Sequence, residues 1–470
     1  MTGLTQLRTV LLLVVLLLLA WSRQAAAYSL FTHEQLIDLT WKTSIVPLLL
    51  SRYPTLTPAE LEQARAYAYG GCVIQDIGYY PFGDSSFSNL THYVRSGDFA
   101  VNLFRNAHNA DELAFAVGAL SHYIGDSVGH SEATNLAVPI EFPKLRAKYG
   151  PVVSYARGRH QHVQTELAFD IDEIAHHRVA PLPYLRHVGL QVPVRQLALA
   201  FYQTYGLSED FSSTRGRRFN VGGYRFAVRT FIPRIAYALT LLHRRHEPPE
   251  TNTPERLEIE KEVAAMAAEN GWQAYRRGAG IGTYTLAGLI FVLPKIGPLK
   301  LLAVKGPTAA TEADYTHSVS LSVSALRRVL ARFTPPRPTV ATELPPSHPL
   351  PAGPSASQDV PRQSRDRRHP LPNRDLDTGH VVQPGGYSLT DSTYADLLHR
   401  LTRLPAQPIP PGIKEDVQAY YADPASPITT KRDAAKWAQV QADLVTLNRM
   451  PTSTEPEPYP TYSDDAESAQ

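Results

Sequence analysis

Histidine and carboxylate recur four residues apart at two places in this chain: His122-Tyr-Ile-Gly-Asp126-Ser-Val-Gly-His130 and His162-Val-Gln-Thr-Glu166. Both stretches read as helix, and a helix brings residues four apart onto one face. His122, Asp126 and His130 then make one stripe, and His162 with Glu166 another. Upstream, His33 opens Thr32-His-Glu-Gln-Leu-Ile-Asp38, Asp76 sits in Gln75-Asp-Ile-Gly-Tyr-Tyr-Pro81, and His92 follows in Asn89-Leu-Thr-His-Tyr93. The last two lie in loop-like or helix-end sequence. Each residue alone is ordinary. Five histidines and three carboxylates ordered this way are hard to explain structurally, because burying them without a cation desolvates several charges at once. Imidazole and carboxylate are the ligands zinc takes where thiolate is absent. The pattern therefore demands helices whose polar stripes converge.

The rest of the chain agrees with an all-α class. Apolar residues recur at helical spacing in Glu34–Leu50, Ala110–Gly129, Gln161–Ile174, Val194–Tyr205, Tyr224–Leu242, Glu255–Tyr275 and Thr316–Phe333, and strand-like alternation is scarce. Thr57-Pro58-Ala-Glu60 reads as a helix start, with Thr57 as cap and Pro58 in the first helical position. The organisation expected is a main helical domain over 28–333, a Pro-rich linker over 334–372, a small helical accessory region over 373–450 and a disordered acidic tail over 451–470. The accessory region has helical patterns around Asp391–Leu401, Ile413–Tyr421 and Lys431–Leu447, which form a small bundle or pack back on the main domain. Asp375-Leu-Asp-Thr-Gly379 and Pro384-Gly-Gly-Tyr387 read as ordered turns without evident chemistry. No internal repeat is present.

Residues 1–27 combine Arg8, an apolar run from Val10 to Trp21 and a small-residue end at Ala25-Ala-Ala27. This is the pattern of a cleavable signal peptide, which predicts an exported protein, periplasmic or extracellular. The run is shorter than the roughly 20 apolar residues of a confident membrane span; an uncleaved N-terminal anchor is the alternative. Cleavage after Ala27 makes Tyr28 the mature N-terminus. Cys72 is the only cysteine, so no intramolecular disulfide forms, and it reads as a small core residue. A formal net charge of +2, with no basic stripe, gives no sign of a dedicated nucleic-acid binder.

The ordered set Tyr28, His33, Asp76, His92, His122/Asp126, His130 and His162/Glu166 resembles the zinc-dependent phospholipase C and single-strand-specific zinc nuclease superfamily. It is similar in particular to the phospholipase C-like domain of glycosylphosphatidylinositol-specific phospholipase D. The resemblance has motif support over roughly residues 28–180. It implies a multi-helix fold and three zinc ions. Asp76, His92, His122 and Asp126 would hold the first, and His130, His162 and Glu166 the second. His33, Asp126 and the amine and carbonyl of Tyr28 would hold the third. Two departures are visible. Bacterial members begin with tryptophan rather than tyrosine, although the ligand atoms there are backbone. The Asp126–His130 spacing is shorter than in bacterial phospholipases and matches the phospholipase D relative.

What the resemblance implies is zinc-dependent phosphodiester hydrolysis, with Asp76, Asp126 and Glu166 as the carboxylates of the chemistry and Asp76 a candidate base. A phospholipid or membrane surface is the expected partner. The alternatives are a single-strand zinc nuclease, whose bases would need aromatic platforms such as Tyr79, Tyr80, Phe82 and Tyr93, and a zinc-stabilised binding protein without catalysis. Those aromatics serve equally as a choline pocket or as core. Residues 279–303 are strongly apolar. They read either as a buried helix pair interrupted by Pro294 and Pro298 or as a hairpin touching a bilayer, with Lys295 and Lys300 at headgroup level.

Overall fold

The computed structural model describes residues 29–80, 83–211, 221–243, 253–333 and 369–453. Among these there is no strand, only isolated β-bridges such as Arg374 with Val381, and the all-α expectation is met. The signal segment 1–27, Tyr28, Phe82, most of the linker and the tail beyond 453 lie outside the described residues.

The labelled helices are α1 (Leu30–Thr40), α2 (Pro58–Gly71), α3 (Ser85–Tyr93), α4 (Ser96–Arg105), α5 (Ala110–Gly129) and α6 (Arg159–Ala175). They are followed by α7 (Ile232–His243), α8 (Pro254–Glu269), α9 (Ile281–Val292) and α10 (Ala309–Phe333), then α11 (Ser388–Thr402), α12 (Pro411–Tyr420) and α13 (Ala434–Arg449). α2 starts as its sequence demands: Thr57 and Glu60 form a reciprocal capping box, with Pro58 in the first turn. α5 is capped by Asn109, whose side chain accepts from the Glu112 amide at 2.9 Å, and it is buried along nearly its whole length.

α2 crosses α5 at very close range, and glycine permits it. A Cβ on Gly71 would collide with the Phe115 carbonyl, and one on Gly118 with the Ala68 carbonyl. Beyond Gly129 the helix widens into a π turn, His130–Thr134, before continuing as Asn135–Glu141. Such turns concentrate at functional positions. α1 begins without a cap of its own, since the Ser29 side chain makes no capping bond. Asp170 of α6 caps it from outside, accepting from the amides of Phe31 at 3.0 Å and Thr32 at 3.1 Å. Burial comes first among the forces on that carboxyl and pushes it up to about 6.

Residues 369–453 dock on this body. His369 bonds Asp98 of α4 at 2.9 Å, and Tyr123 of α5 donates to the Pro372 carbonyl at 2.6 Å. The last four residues of the segment read as linker are therefore held in place. The turn at 373–382 closes through Asp375 N to His380 O at 3.0 Å and Val382 N to Asn373 O at 2.9 Å. α11 packs against α3 and α13, and Tyr394 stacks on Tyr420 of α12 at 3.7 Å.

For residues 279–303 the buried-pair reading does not hold. One helix, α9, packs on α7 through Ala287 and Ile290, and its outward face is exposed. A tight 3-10 turn, Gly297–Leu302, follows in place of a second α-helix.

Candidate metal centre

Six short stretches of chain bring the sequence-predicted residues to one buried place. His33 lies on α1, Asp76 ends the 3-10 turn Ile74–Asp76, and His92 lies in the last turn of α3. His122 and Asp126 lie on α5, His130 opens the π turn, and His162 and Glu166 lie near the start of α6. Three groups result that can hold a metal ion: His33/His122/Asp126, Asp76/His92/His122 and His130/His162/Glu166. Tyr28 lies outside the described residues.

Asp126 is the hub. Its Oδ1 lies 3.1 Å from His33 Nε2, and its Oδ2 lies 3.1 Å from His122 Nε2 and 3.3 Å from His92 Nε2. Asp76 Oδ1 is 3.3 Å from His92 Nε2 and 3.9 Å from His122 Nε2. The His33 and His122 rings stack at 4.3 Å. In the third group Glu166 Oε1 lies 3.5 Å from His162 Nδ1 and 3.8 Å from His130 Nε2. The stripe read on α5 thus divides: His122 and Asp126 serve the first two groups, and His130 the third.

The far side of each ring sets its tautomer. His92 Nδ1 faces the Ser88 carbonyl at 2.7 Å, His122 Nδ1 that of Cys72 at 3.0 Å, and His130 Nδ1 that of Leu376 at 2.7 Å. A carbonyl only accepts, so Nδ1 carries a proton and Nε2 is the nitrogen left to face a metal ion. His162 is reversed: its Nε2 donates to the Val153 carbonyl at 2.7 Å, leaving Nδ1 toward Glu166. The Cys72 carbonyl reaches His122 because α2 and α5 cross so closely.

All eight described ligand candidates are at most 3% exposed. Burial opposes the charge of Asp126, but His122, His33 and His92 outweigh it and hold the carboxyl well below the usual range. Burial likewise opposes the His92 cation, yet Asp126 and Asp76 lift that imidazole to about 10. Burial and His130 push His162 down to about 3, and burial with His122 lowers His33. Burial, then Asp126 and Asp377, holds Glu166 well above the usual carboxylate range. Groups driven this far apart share a shortage of positive charge.

The hydrogen-bond ledger says the same. Both oxygens of Asp76 and of Asp126, His130 Nε2, His162 Nδ1 and Glu166 Oε1 are buried and make no hydrogen bond. Each such acceptor costs about 1–3 kcal/mol if left so. A bound cation would satisfy them together, and the N/O donor set without sulfur suits zinc.

Sequence reasoning missed the contribution of the 373–387 segment. Besides the Leu376 carbonyl on His130, Leu376 N donates to the His92 carbonyl at 3.0 Å. Asp377 Oδ1 lies 3.9 Å from His130 Nδ1. Its Oδ2 accepts from Tyr387 at 2.6 Å and Tyr93 at 3.0 Å, and its carbonyl accepts from Asn135 Nδ2 at 2.8 Å. The Asp-Leu-Asp-Thr-Gly turn was legible as a turn. Its target lies 246 residues earlier in the chain, and no local signal points there. Of the flagged aromatics among the described residues, Tyr79 and Tyr93 are buried and the half-buried Tyr80 stacks on Tyr224 at 6.1 Å.

The family model described as zinc dependent phospholipase C matches residues 32–208. No curated protein and no solved structure gives a significant match.

Proposed function

We propose, from the membership of residues 32–208 in the zinc-dependent phospholipase C family, that this is an exported phospholipase C. It cleaves the phosphodiester of a membrane phospholipid to give a phosphorylated headgroup and a diacylglycerol. The observation that carries the reading is the inward convergence of four imidazole nitrogens, each ring pinned from behind by a backbone carbonyl, on buried carboxylates.

In this reading Asp76, His92, His122 and Asp126 hold one zinc, and His130, His162 and Glu166 a second. His33 and Asp126, with the amine and carbonyl of Tyr28, hold a third. Bound zinc supplies a water that deprotonates near neutral pH and positive charge for the phosphoryl oxygens. Asp126, whose two oxygens face different imidazoles, would offer one oxygen to each of two adjacent ions. Asp76 accepts the proton of the attacking water; neither of its oxygens is committed to a hydrogen bond. Removal of residues 1–27 would free the Tyr28 amine, three residues before the Phe31 amide that Asp170 holds.

The test is zinc content together with turnover of phosphatidylcholine and of single-stranded DNA, on one mature sample. Three zinc ions per chain are expected. Lipid turnover should vanish in Asp126→Asn. DNA cleavage without lipid turnover would move the protein to the nuclease branch. A folded protein that binds no zinc would overturn the reading altogether.

A further inference from the structure

α9 carries no charged side chain from Ile281 to Val292. Its inner face is spent on α7, where Ala287 and Ile290 are buried. Its outer face is not covered. Ile281 is 87% exposed, Tyr284 58%, Phe291 74% and Val292 71%, and Ile296 just beyond is 67% exposed. These helix positions fall on one arc at 3.6 residues per turn. Thr285, on the same arc, turns its hydroxyl back to the Ile281 carbonyl at 2.9 Å and needs no water. Single exposed apolar residues are normal, but a contiguous stripe marks a surface that meets something.

Charge says what it meets. From residue 270 to 311 the sequence holds Arg276, Arg277, Lys295, Lys300 and Lys305 and neither Asp nor Glu. Among the described residues none of the five has a carboxylate partner. Lys295 donates to the Ile290 and Leu293 carbonyls, and Arg276 to the His177 carbonyl at 2.9 Å. The cations flank the apolar stripe and do not interrupt it, as in helices that lie in an anionic headgroup layer. A second copy of the chain would bring the same positive charges face to face. α9 is too short to span: among the described residues no helix is long and apolar enough to cross a membrane. The surface is also tied to the metal centre. Gln164, between His162 and Glu166 on α6, donates to the Lys300 carbonyl at 2.6 Å and the Ala303 carbonyl at 3.0 Å.

We infer that the outward face of α9 docks on an anionic lipid surface, with Ile281, Tyr284, Phe291 and Val292 at the acyl boundary and Arg277, Lys300 and Lys305 on lipid phosphates. The purpose of such docking rests on the phospholipase reading; the docking itself does not.

The experiment is flotation of the purified full chain with vesicles of phosphatidylcholine alone and of phosphatidylcholine mixed with phosphatidylserine. The protein should float with the mixed vesicles, more weakly with the neutral ones, and progressively less as salt is raised. Phe291→Asp with Val292→Asp should lower partition by about tenfold or more, while turnover of a short-chain, monomeric phospholipid stays unchanged. In case that pair unfolds, Phe291→Trp should blue-shift on the mixed vesicles, and Lys300→Glu with Lys305→Glu should weaken binding to them. Equal flotation of wild type and the aspartate pair, or a tryptophan emission that does not move, would overturn the inference. So would a dimer that the aspartate pair dissolves while vesicle binding persists. Vesicle binding that depends on α9, with no turnover of any phospholipid, would retain the inference and sink the phospholipase reading. Turnover of the monomeric lipid without vesicle binding would do the reverse.

Discussion

His92 is the ligand candidate whose protonation has most to change when a cation arrives. Asp126 and Asp76 both lie 3.3 Å from its Nε2 and, against burial, hold the ring as a cation up to about 10. Zinc needs that same nitrogen bare, so binding must expel a proton at any pH below about 10. His162 and His33 are lowered by burial and have no proton to release near neutrality. Apparent zinc affinity should therefore rise by at least about tenfold per pH unit across the neutral range, one proton leaving His92 and a further one leaving Glu166 wherever burial keeps that carboxyl protonated. Competition titrations against a chelator of known pH dependence will show it; an affinity flat between pH 6 and 8 would contradict the assignment. At this scale the sequence is legible in part. Residue types and their four-residue spacing announce the stripes on α5 and α6. The tautomers could not be read, because Ser88, Cys72, Val153 and Leu376 act through backbone carbonyls that any residue would offer.

Elements were legible where burial and propensity agree. α5 spans Ala110–Gly129 as its periodicity predicts. Glu255–Tyr275 is broken at Gly271, which adopts φ +61 between α8 and the short helix Trp272–Tyr275. α3 could not be read: Ser-Ser-Phe-Ser-Asn-Leu-Thr-His-Tyr is poor in helix formers, and the helix stands on the Asp84 cap and the burial of Phe87 and Leu90. The 373–382 turn has a single point of weakness. Gly379 holds φ +72, and a Cβ there would collide with the Ser127 carbonyl on α5. Gly379→Ala should cost about 1–3 kcal/mol and shift Leu376 off His130. Zinc affinity of the His130 group should then fall about 10–100-fold, which zinc titration of the variant will measure. His369 makes a second element-scale prediction. Its Nδ1 lies 2.9 Å from Asp98 and its Nε2 3.3 Å from Asp416, and the hydrogen bonds it donates to Asp416 and Asp98 push it up to about 10. A raised histidine stabilises fully below its unfolded value near 6.5, and its contribution is lost as pH rises through the folded value. The stability lost in His369→Gln should accordingly be largest below pH 6.5 and fade toward pH 10. Paired urea unfolding curves across that range will check the trend.

At the scale of the whole molecule, the family match ends at residue 208, but the metal centre does not. The segment from His369 onward seats Leu376 and Asp377 on the His130 group and ties α3, α4 and α5 together from outside. Arg95, in the left-handed region at φ +51, is held by Asp98 at 2.9 Å, by Asp416 of α12 at 2.8 Å and by the Thr204 carbonyl at 2.8 Å. One cation thereby joins the main body to the C-terminal helices. A chain that stops at Phe333 would strand the hydroxyls of Tyr93 and Tyr123, the Asn135 amide and His130 Nδ1, each now bonded to residues 372–377. At roughly 1 kcal/mol per lost bond, more where the group stays buried, the deficit is a large share of the usual 5–15 kcal/mol of net stability. Such a fragment should melt well below the full chain and should retain less zinc on dialysis, with the loss falling first on the His130 group. An ion held by Asp76, His92 and His122, whose rings are pinned by Ser88 and Cys72, should survive longer, although Leu376 also bonds the His92 carbonyl. Zinc counts and melting curves on the two proteins side by side decide it. A fragment with undiminished zinc and an unchanged melting temperature would show that the C-terminal helices merely decorate the centre, and that Leu376 and Asp377 do not hold the His130 group in place.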